Sequence, residues 1–319
     1  MADNTSDIIA YPFEFQLPFE QDFNEKAALQ WMGENWTAAF TYAILYVVLV
    51  FGGRYFMQNR EKFDLRLPLT LWSGGLAVFS TLGALRSAYD LWFILKVRGF
   101  QFSVCDSRFY REPVLDFWAF YFTYSKLPEL GDTAFIVLRK QKLIFLHWYH
   151  HITVLLYAWY SYKDTLAAGR WFYCMNFTVH ALMYTYYAVR AAGYRVPRSY
   201  AMVITLAQTA QMVMGCVVNY TSYAALTKGE ACGSTYDNIV WSSVMYFSYF
   251  LLFAQFFYDA YMRKPEKQQH EKAHENGVKH RGAKENGVHI AAAKQGNGVH
   301  KATGKRENGM WKENGIKRD

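Results

Sequence analysis

Six stretches of this chain carry no Asp, Glu, Lys or Arg: residues 37–53, 67–85, 143–162, 171–189, 199–227 and 238–258. A helix rises about 1.5 Å per residue, so roughly 20 residues cross a bilayer's hydrocarbon core of about 30 Å. Each stretch is near that length or beyond it. A further helix is expected between residues 114 and 138. It is apolar, aromatic, Ser or Thr from Phe117 to Ser125, then carries Lys126, Glu129 and Asp132 before ending in five apolar residues. The expectation is an all-α integral membrane protein with seven transmembrane helices. Composition agrees: charged residues are 19%, against roughly 25% in an ordinary soluble domain. The acidic N-terminus lacks an early apolar run, so no cleavable signal peptide is expected.

The formal charge of +8 belongs elsewhere. Of 34 basic and 26 acidic residues, fourteen and seven lie in residues 263–319, which therefore carry +7. No folded face holds that charge, which argues against nucleic acid as a partner. The same segment repeats Asn-Gly from residues 276, 286, 297, 308 and 314. Asn-Gly resists helix and strand, and too few apolar residues are present to offset ordering entropy. The chain thus divides into an N-terminal segment 1–31, a seven-helix domain 32–262 and a disordered basic tail 263–319, whose histidines are solvated.

Alternate loops set the orientation. Arg54, Arg60, Lys62 and Arg66, then Arg139, Lys140 and Lys142, then Arg190, Arg195 and Arg198 fall on the side of the basic tail, read as cytosolic. The other side holds the acidic N-terminus with Lys26, Lys96, Arg98, Arg108, Arg111, Lys163, Arg170 and Lys228 and is read as lumenal. Cys105 and Cys232 both reach the lumenal side, where a disulfide is expected, with two free loop thiols as the alternative. Cys174 and Cys216 lie within helices. Of four N-x-S/T sequons, those at Asn35, Asn176 and Asn219 lie in or against spans, so glycosylation is expected at Asn4.

Nine histidines are present, and five are in the tail. The remaining four occupy two successive helices. His147, His150 and His151 stand at i, i+3 and i+4, one stripe of a helix, with Trp148 and Tyr149 on other faces. In the next helix Asn176, His180, Tyr184 and Tyr187 share a face. Ionisable groups inside a membrane point to function by default. Lys126, Glu129 and Thr133 share a face too, with Asp132 offset. They either form an internal salt bridge that locks packing or line a wet cavity. Pro128 frees a backbone carbonyl one turn earlier. Thr205, Gln208 and Gln211, at spacing three, are interhelical glue or substrate contacts. Arg86 and Asp90 read as a structural i, i+4 pair.

Two chemistries suit four buried histidines. His-x-x-His-His is similar to the boxes of membrane di-iron desaturases and hydroxylases. Those use about eight histidines, so four are too few unless Glu129 and Asp132 substitute, and no metal is expected. Alternatively, neutral imidazole can be acylated by a thioester or take a proton near neutral pH. Cys174 lies on another face from His180, which disfavours a cysteine nucleophile. A non-enzymatic seven-helix receptor shares the topology but would not need the stripe.

Lys126-Leu-Pro-Glu129-Leu-Gly-Asp132-Thr133, His147-Trp-Tyr-His150-His151, Asn176-Phe-Thr-Val-His180-Ala-Leu-Met-Tyr184-Thr-Tyr186-Tyr187 and Thr205-Leu-Ala-Gln208 resemble, in order and spacing, the signature boxes of the fatty-acid elongase (ELO) family. The form is most similar to the vertebrate long-chain elongases of saturated and monounsaturated acyl-CoA, the palmitate-elongating type. The resemblance implies an endoplasmic-reticulum protein, N-terminus lumenal and C-terminus cytosolic, with six of seven helices surrounding a substrate tunnel. It implies condensation of acyl-CoA with malonyl-CoA to 3-ketoacyl-CoA, CO2 and CoA, with no cofactor beyond these substrates.

On that reading His150 forms an acyl-imidazole or acts as base, His180 aids the malonyl half-reaction, and His147, His151, Asn176 and Tyr187 orient or stabilise. Lys126, Glu129 and Asp132 shape the site or hold CoA and malonyl groups, alongside Tyr184, Gln208 and Gln211. Arg139, Lys140 and Lys142 meet CoA phosphates or serve only as positive-inside charges. Membrane lipid, the other enzymes of the elongation cycle and a second copy of the chain are the further candidate partners. Lys317 is third from the end, but Gly315 and Ile316 stand where a lysine retrieval signal needs its second lysine, so endoplasmic-reticulum residence rests on the resemblance.

Overall fold

The computed structural model describes residues 16–263, which fold into helices joined by short turns, with no strand among them. Asn4 and the tail beyond residue 263, where glycosylation and disorder are expected, lie outside the described residues. Two short helices come first, α1 (Pro18–Gln21) and α2 (Glu25–Asn35). Asn24 caps α2 by accepting from Ala27 N at 3.0 Å. The boundary expected at residue 31 therefore falls inside a helix that continues to Asn35 before α3 (Ala38–Met57) begins.

The long helix α4 (Arg66–Cys105) is interrupted at Gly99, whose φ of 81° is open to glycine and costly for other residues. Its charged pair differs from the sequence expectation. Arg86 does not pair with Asp90. It reaches Glu20 of α1 through Nε (2.9 Å) and a terminal nitrogen (2.8 Å), and Trp118 Nε1 donates to the same carboxylate at 2.7 Å. Asp90 instead faces Arg170 at 3.0 Å. An i, i+4 pair is worth a few tenths of a kcal/mol, about 0.2–0.5, whereas Glu20 and Asp90 are fully buried and each needs a cation beside it.

A short turn (Arg108–Arg111) leads to α5 (Pro113–Glu129) and α6 (Asp132–Leu138). One continuous helix was expected here. Pro128 offers no N–H and crowds the preceding turn, so the chain tightens. Leu130 N donates to Leu127 O (3.2 Å) and Gly131 N to Pro128 O (2.8 Å) before α6 restarts. The break separates Lys126 and Glu129, which turn to one neighbour, from Thr133, which turns to another.

The remaining helices are α7 (Phe145–Lys163), α8 (Gly169–Ala191), α9 (Arg198–Thr227) and α10 (Tyr236–Phe257), the last running into a wider turn, Tyr258–Met262. α4 packs along α8, α9 along α10, and α5 against α7. Between helices in lipid the hydrophobic effect gives little, so close packing and interhelical hydrogen bonds must hold the bundle. The core supplies both: Trp118, Trp159 and Phe177 interlock α5, α7 and α8, and Tyr162 donates to Asp116 at 2.8 Å.

Among the described residues four helical segments are long and apolar enough to cross a membrane: Ala38–Met57, Arg66–Cys105, Arg198–Thr227 and Tyr236–Met262. Their outer faces expose Leu49, Val203, Leu206 and Phe247, as lipid contact requires. The chain is an all-α integral membrane protein. The other long helices, α5, α7 and α8, are shorter or more polar, and they carry the histidines and charges the sequence singled out.

Candidate active site

The four histidines come together. His147 and His151 have ring centroids 4.4 Å apart, and His150 and His151 5.6 Å apart, as one helical stripe dictates. All four, with His180 from α8, line one cavity of about 550 Å³. Asp132, Asn176, Tyr184, Tyr187, Gln208 and Gln211 line it too. Thr205 does not; its hydroxyl donates back to Ala201 O at 2.9 Å. Trp148 packs toward Phe51 of α3 and Tyr149 bonds Ser248 of α10, so the residues between the histidines fasten α7 on both flanks.

Three hydrogen-bonded groups fix the polar wall. In the first, the hydroxyls of Tyr46 and Thr133 are 2.7 Å apart, and Thr133 Oγ1 lies 2.9 Å from His147 Nε2. In the second, Asp132 accepts from Trp72 Nε1 (2.6 Å) and from the Tyr184 hydroxyl (2.7 Å). The third is a closed ring. Lys126 Nζ donates to Glu129 at 2.8 and 3.1 Å and to Asn176 Oδ1 at 3.0 Å, and Ser125 donates to Glu129 at 2.8 Å.

Lysine has no acceptor, so the Asn176 oxygen must face it and the amide N–H2 must face the other way. That places Asn176 Nδ2 3.3 Å from His180 Nε2, which then accepts. His180 Nδ1 consequently carries the proton and points toward Glu129 Oε2 at 3.9 Å. Lys126 and Glu129 are buried and sit behind Asn176 and His180, outside the cavity lining. They are thus both the internal ion pair and a support for the wall.

Among the described residues His147 and His180 are hydrogen-bonded, whereas no hydrogen bond ends on the ring of His151, whose Nδ1 is buried, or on that of His150. The His150 carbonyl accepts from Tyr249 and the His150 ring lies 4.9 Å from the Tyr249 ring. His150 also faces a second, narrower cavity of about 60 Å³. His150, Asn176, Gln211 and Met212 line both. No three His, Cys, Asp or Glu side chains converge as metal ligands among the described residues. What the wall offers instead is two unengaged imidazoles, an oriented amide and several fixed hydroxyls around one space.

The basic residues separate. Arg139 lines the wide cavity. Lys140 Nζ donates to the carbonyls of Gln58 (3.1 Å) and Arg60 (2.9 Å) beyond α3, and Lys142 is exposed outside the lining. Cys105 and Cys232 are joined by a disulfide. Arg170, counted from sequence as a loop charge, is instead fully buried at the start of α8, beside Asp90.

Sequence reasoning passed over Trp72 and Ser125 and read Arg190 only as a cytosolic loop charge. Ser125 stands four residues before Glu129, and Arg190 continues the Asn176–Tyr187 face into the cavity. Those two had a periodic signal. Trp72, one indole in an apolar run, had none.

The profile of the ELO: GNS1/SUR4 family matches residues 31–269. The chain is 58% identical over 249 residues to very long chain fatty acid elongase 6 of Gallus gallus, covering 78% of this chain and 94% of that protein. It is 49% identical over 253 residues to very long chain fatty acid elongase 6 of Drosophila melanogaster (78% and 80%). It is 42% identical over 252 residues to very long chain fatty acid elongase 3 of Homo sapiens (79% and 90%). A polar wall carried on these helices and a match that runs from within α2 past the end of α10 lead to one statement: the chain belongs to the ELO (GNS1/SUR4) family of fatty-acid elongases.

Proposed function

We propose that this enzyme of fatty-acid elongation performs the condensing step: a long-chain acyl-CoA and malonyl-CoA give 3-ketoacyl-CoA, CO2 and CoA. His150 attacks the acyl thioester, a C–N bond forms, the C–S bond breaks, and CoA leaves as thiolate and takes up a proton. Malonyl-CoA then loses CO2, and the electron pair of the broken C–C bond becomes an enolate. That carbon attacks the acyl-imidazole, a C–C bond forms, and the imidazole leaves unchanged. The enolate oxygen needs donors already in place as its charge develops. The Asn176 amide, turned toward the cavity by Lys126, is suited to that role, with His180 beside it. His147 and His151 orient the stripe, and Tyr184, Tyr187, Gln208 and Gln211 contact the CoA or malonyl portions. No cofactor is required.

The observation that carries this reading is His150, whose ring is unengaged and which, alone of the four histidines, lines both the wide polar cavity and the narrow one. A branched, charged thioester fits the first and an unbranched chain the second. Lining residues come from α4, α5–α6, α7, α8, α9 and α10 and none from α3, which supports seven spans with six around a substrate tunnel. We place the protein in the endoplasmic-reticulum membrane, N-terminus lumenal and C-terminus cytosolic, because the disulfide suits an oxidising lumen and the basic loops the cytosol.

Purified protein incubated with radiolabelled acyl-CoA alone tests the covalent step. A labelled histidine peptide containing residue 150, absent in His150→Ala, is expected. CoA release that requires malonyl-CoA, with no adduct, would overturn it.

A further inference from the structure

The narrow cavity has a floor. On α7 its lining follows one face, His150, Val154, Tyr157, Ala158 and Ser161, so it runs along the helix away from the wide cavity. At its far end stand Tyr110, Tyr162 and Gly169. Eleven residues separate His150 from Ser161, about 16 Å of helix. At about 1.2 Å per bond, an extended hydrocarbon anchored at His150 would run about thirteen bonds before meeting that end.

Tyr110 is held there from three directions. Its hydroxyl donates to Leu166 O at 3.3 Å, its ring meets Tyr162 edge-on at 5.6 Å, and Phe109 backs it at 4.1 Å. Gly169 lies directly under the hydroxyl: a Cβ on Gly169 would come 2.7 Å from Tyr110 Oη. The loops behind are stitched together. Ala167 N donates to Gly233 O (2.8 Å), Gly233 N to Cys105 O (2.8 Å), and Cys105 is joined to Cys232. The floor is thus a tyrosine ring wedged against fastened backbone rather than a long side chain free to swing aside.

We infer that Tyr110, seated on Gly169, is the stop that sets the longest acyl chain this site accepts. The inference rests on the condensation reading, since it requires the acyl chain to enter the narrow cavity from His150. An extra methylene forced against a fixed wall is costly, and one methylene too many in an apolar pocket changes rates by about 10–200-fold. Truncating the ring opens room for a longer chain. Adding a methyl at Gly169 fills the floor and displaces the hydroxyl into the slot, which shortens it.

The test is condensation by purified full-length protein with malonyl-CoA and a series of saturated acyl-CoAs. The readout is the ratio of rates on successive chain lengths. Tyr110→Ala should move the cut-off longer by about two to four carbons, with the ratio across the old cut-off rising at least about tenfold. Gly169→Ala should move it shorter by about two carbons. Should Tyr110→Ala fail to fold, the Gly169→Ala shift decides by itself, because the added methyl meets only the far end of one side chain. A Gly169→Ala profile identical to the parent, or a Tyr110→Ala profile identical to it, would overturn the inference. Absence of condensation by the parent protein on every chain length would instead overturn the reading beneath it.

Discussion

Two buried ion pairs lie against α8, Arg170–Asp90 at its start and the α5 pair Lys126–Glu129 beside Asn176 and His180 farther along it, and they serve the molecule differently. At its start, Arg170 lies 3.0 Å from Asp90 and 3.6 Å from Asp106, with its guanidinium 4.7 Å from the Phe109 ring. Neither Arg170 nor Asp90 lines the wide or the narrow cavity. One helical turn and more further on, Lys126 and Glu129 close a ring through Asn176 and His180, both of which do. Burying a pair is not itself stabilising, because desolvation offsets the attraction, whereas breaking one leaves a bare charge. What separates them is where their remaining hydrogen bonds point. The first pair ends on packed aromatic and loop surface. The second fixes the orientation of an amide and an imidazole that face substrate space.

The largest effect should follow from breaking the first pair. Arg170→Met leaves Asp90 buried without its cation, a loss of about 3–5 kcal/mol of stability, whereas Asp106 keeps Arg108 at 2.6 Å. Thermal unfolding in detergent should show a clearly lower Tm, while condensation per folded molecule persists. An unchanged Tm, or a folded protein without activity, would erase the distinction between the two pairs.

Breaking the second pair also bares a buried charge, on Glu129, but its distinguishing effect should be on chemistry. Lys126→Met frees the Asn176 amide to flip and removes the support of Glu129. Misplacement of about 1 Å at a reacting group can cost about 10²-fold in rate. We therefore expect kcat to fall by about that factor with KM for malonyl-CoA nearly unmoved, a split that lost packing alone does not produce. A parallel rise in KM with unchanged kcat would make Lys126 a binding residue instead.

Most of this wall was legible in the sequence, and the reasons differ by residue. The His147–His151 stripe and the Asn176–Tyr187 face follow from helical period, which the fold obeys. The disulfide partners could be paired because the topology put both on one side. Arg86 and Asp90 misled because a local i, i+4 rule cannot see Glu20, sixty-six residues away, or Arg170, eighty away. Pro128 was visible, but its effect was not: a tightened turn sends Thr133 to Tyr46 and His147 rather than alongside Lys126. Arg170 looked like a loop charge because the uncharged run begins one residue later, yet a buried partner drew it into the bundle. The narrow cavity and its Tyr110 floor arise from three loops meeting, and no periodicity encodes that.

The smallest effect concerns charge at the mouth, and it asks whether contact or mere position assigns a role. Arg139 and Lys140 are neighbours with the same sign. Arg139 lines the wide cavity, while Lys140 is engaged by the Gln58 and Arg60 carbonyls. If CoA phosphates meet Arg139 directly, Arg139→Gln should raise KM for both CoA thioesters by about fivefold, a partly exposed ion pair being worth about 1 kcal/mol at most. The increase should shrink as salt rises, since added ions screen the parent's advantage. Lys140→Gln should leave those KM values nearly unmoved and instead loosen the turn beyond α3, seen as a small fall in Tm. Equal increases in KM for the two variants would mean that a diffuse basic field attracts CoA, and geometry would then no longer separate residues that support from residues that bind.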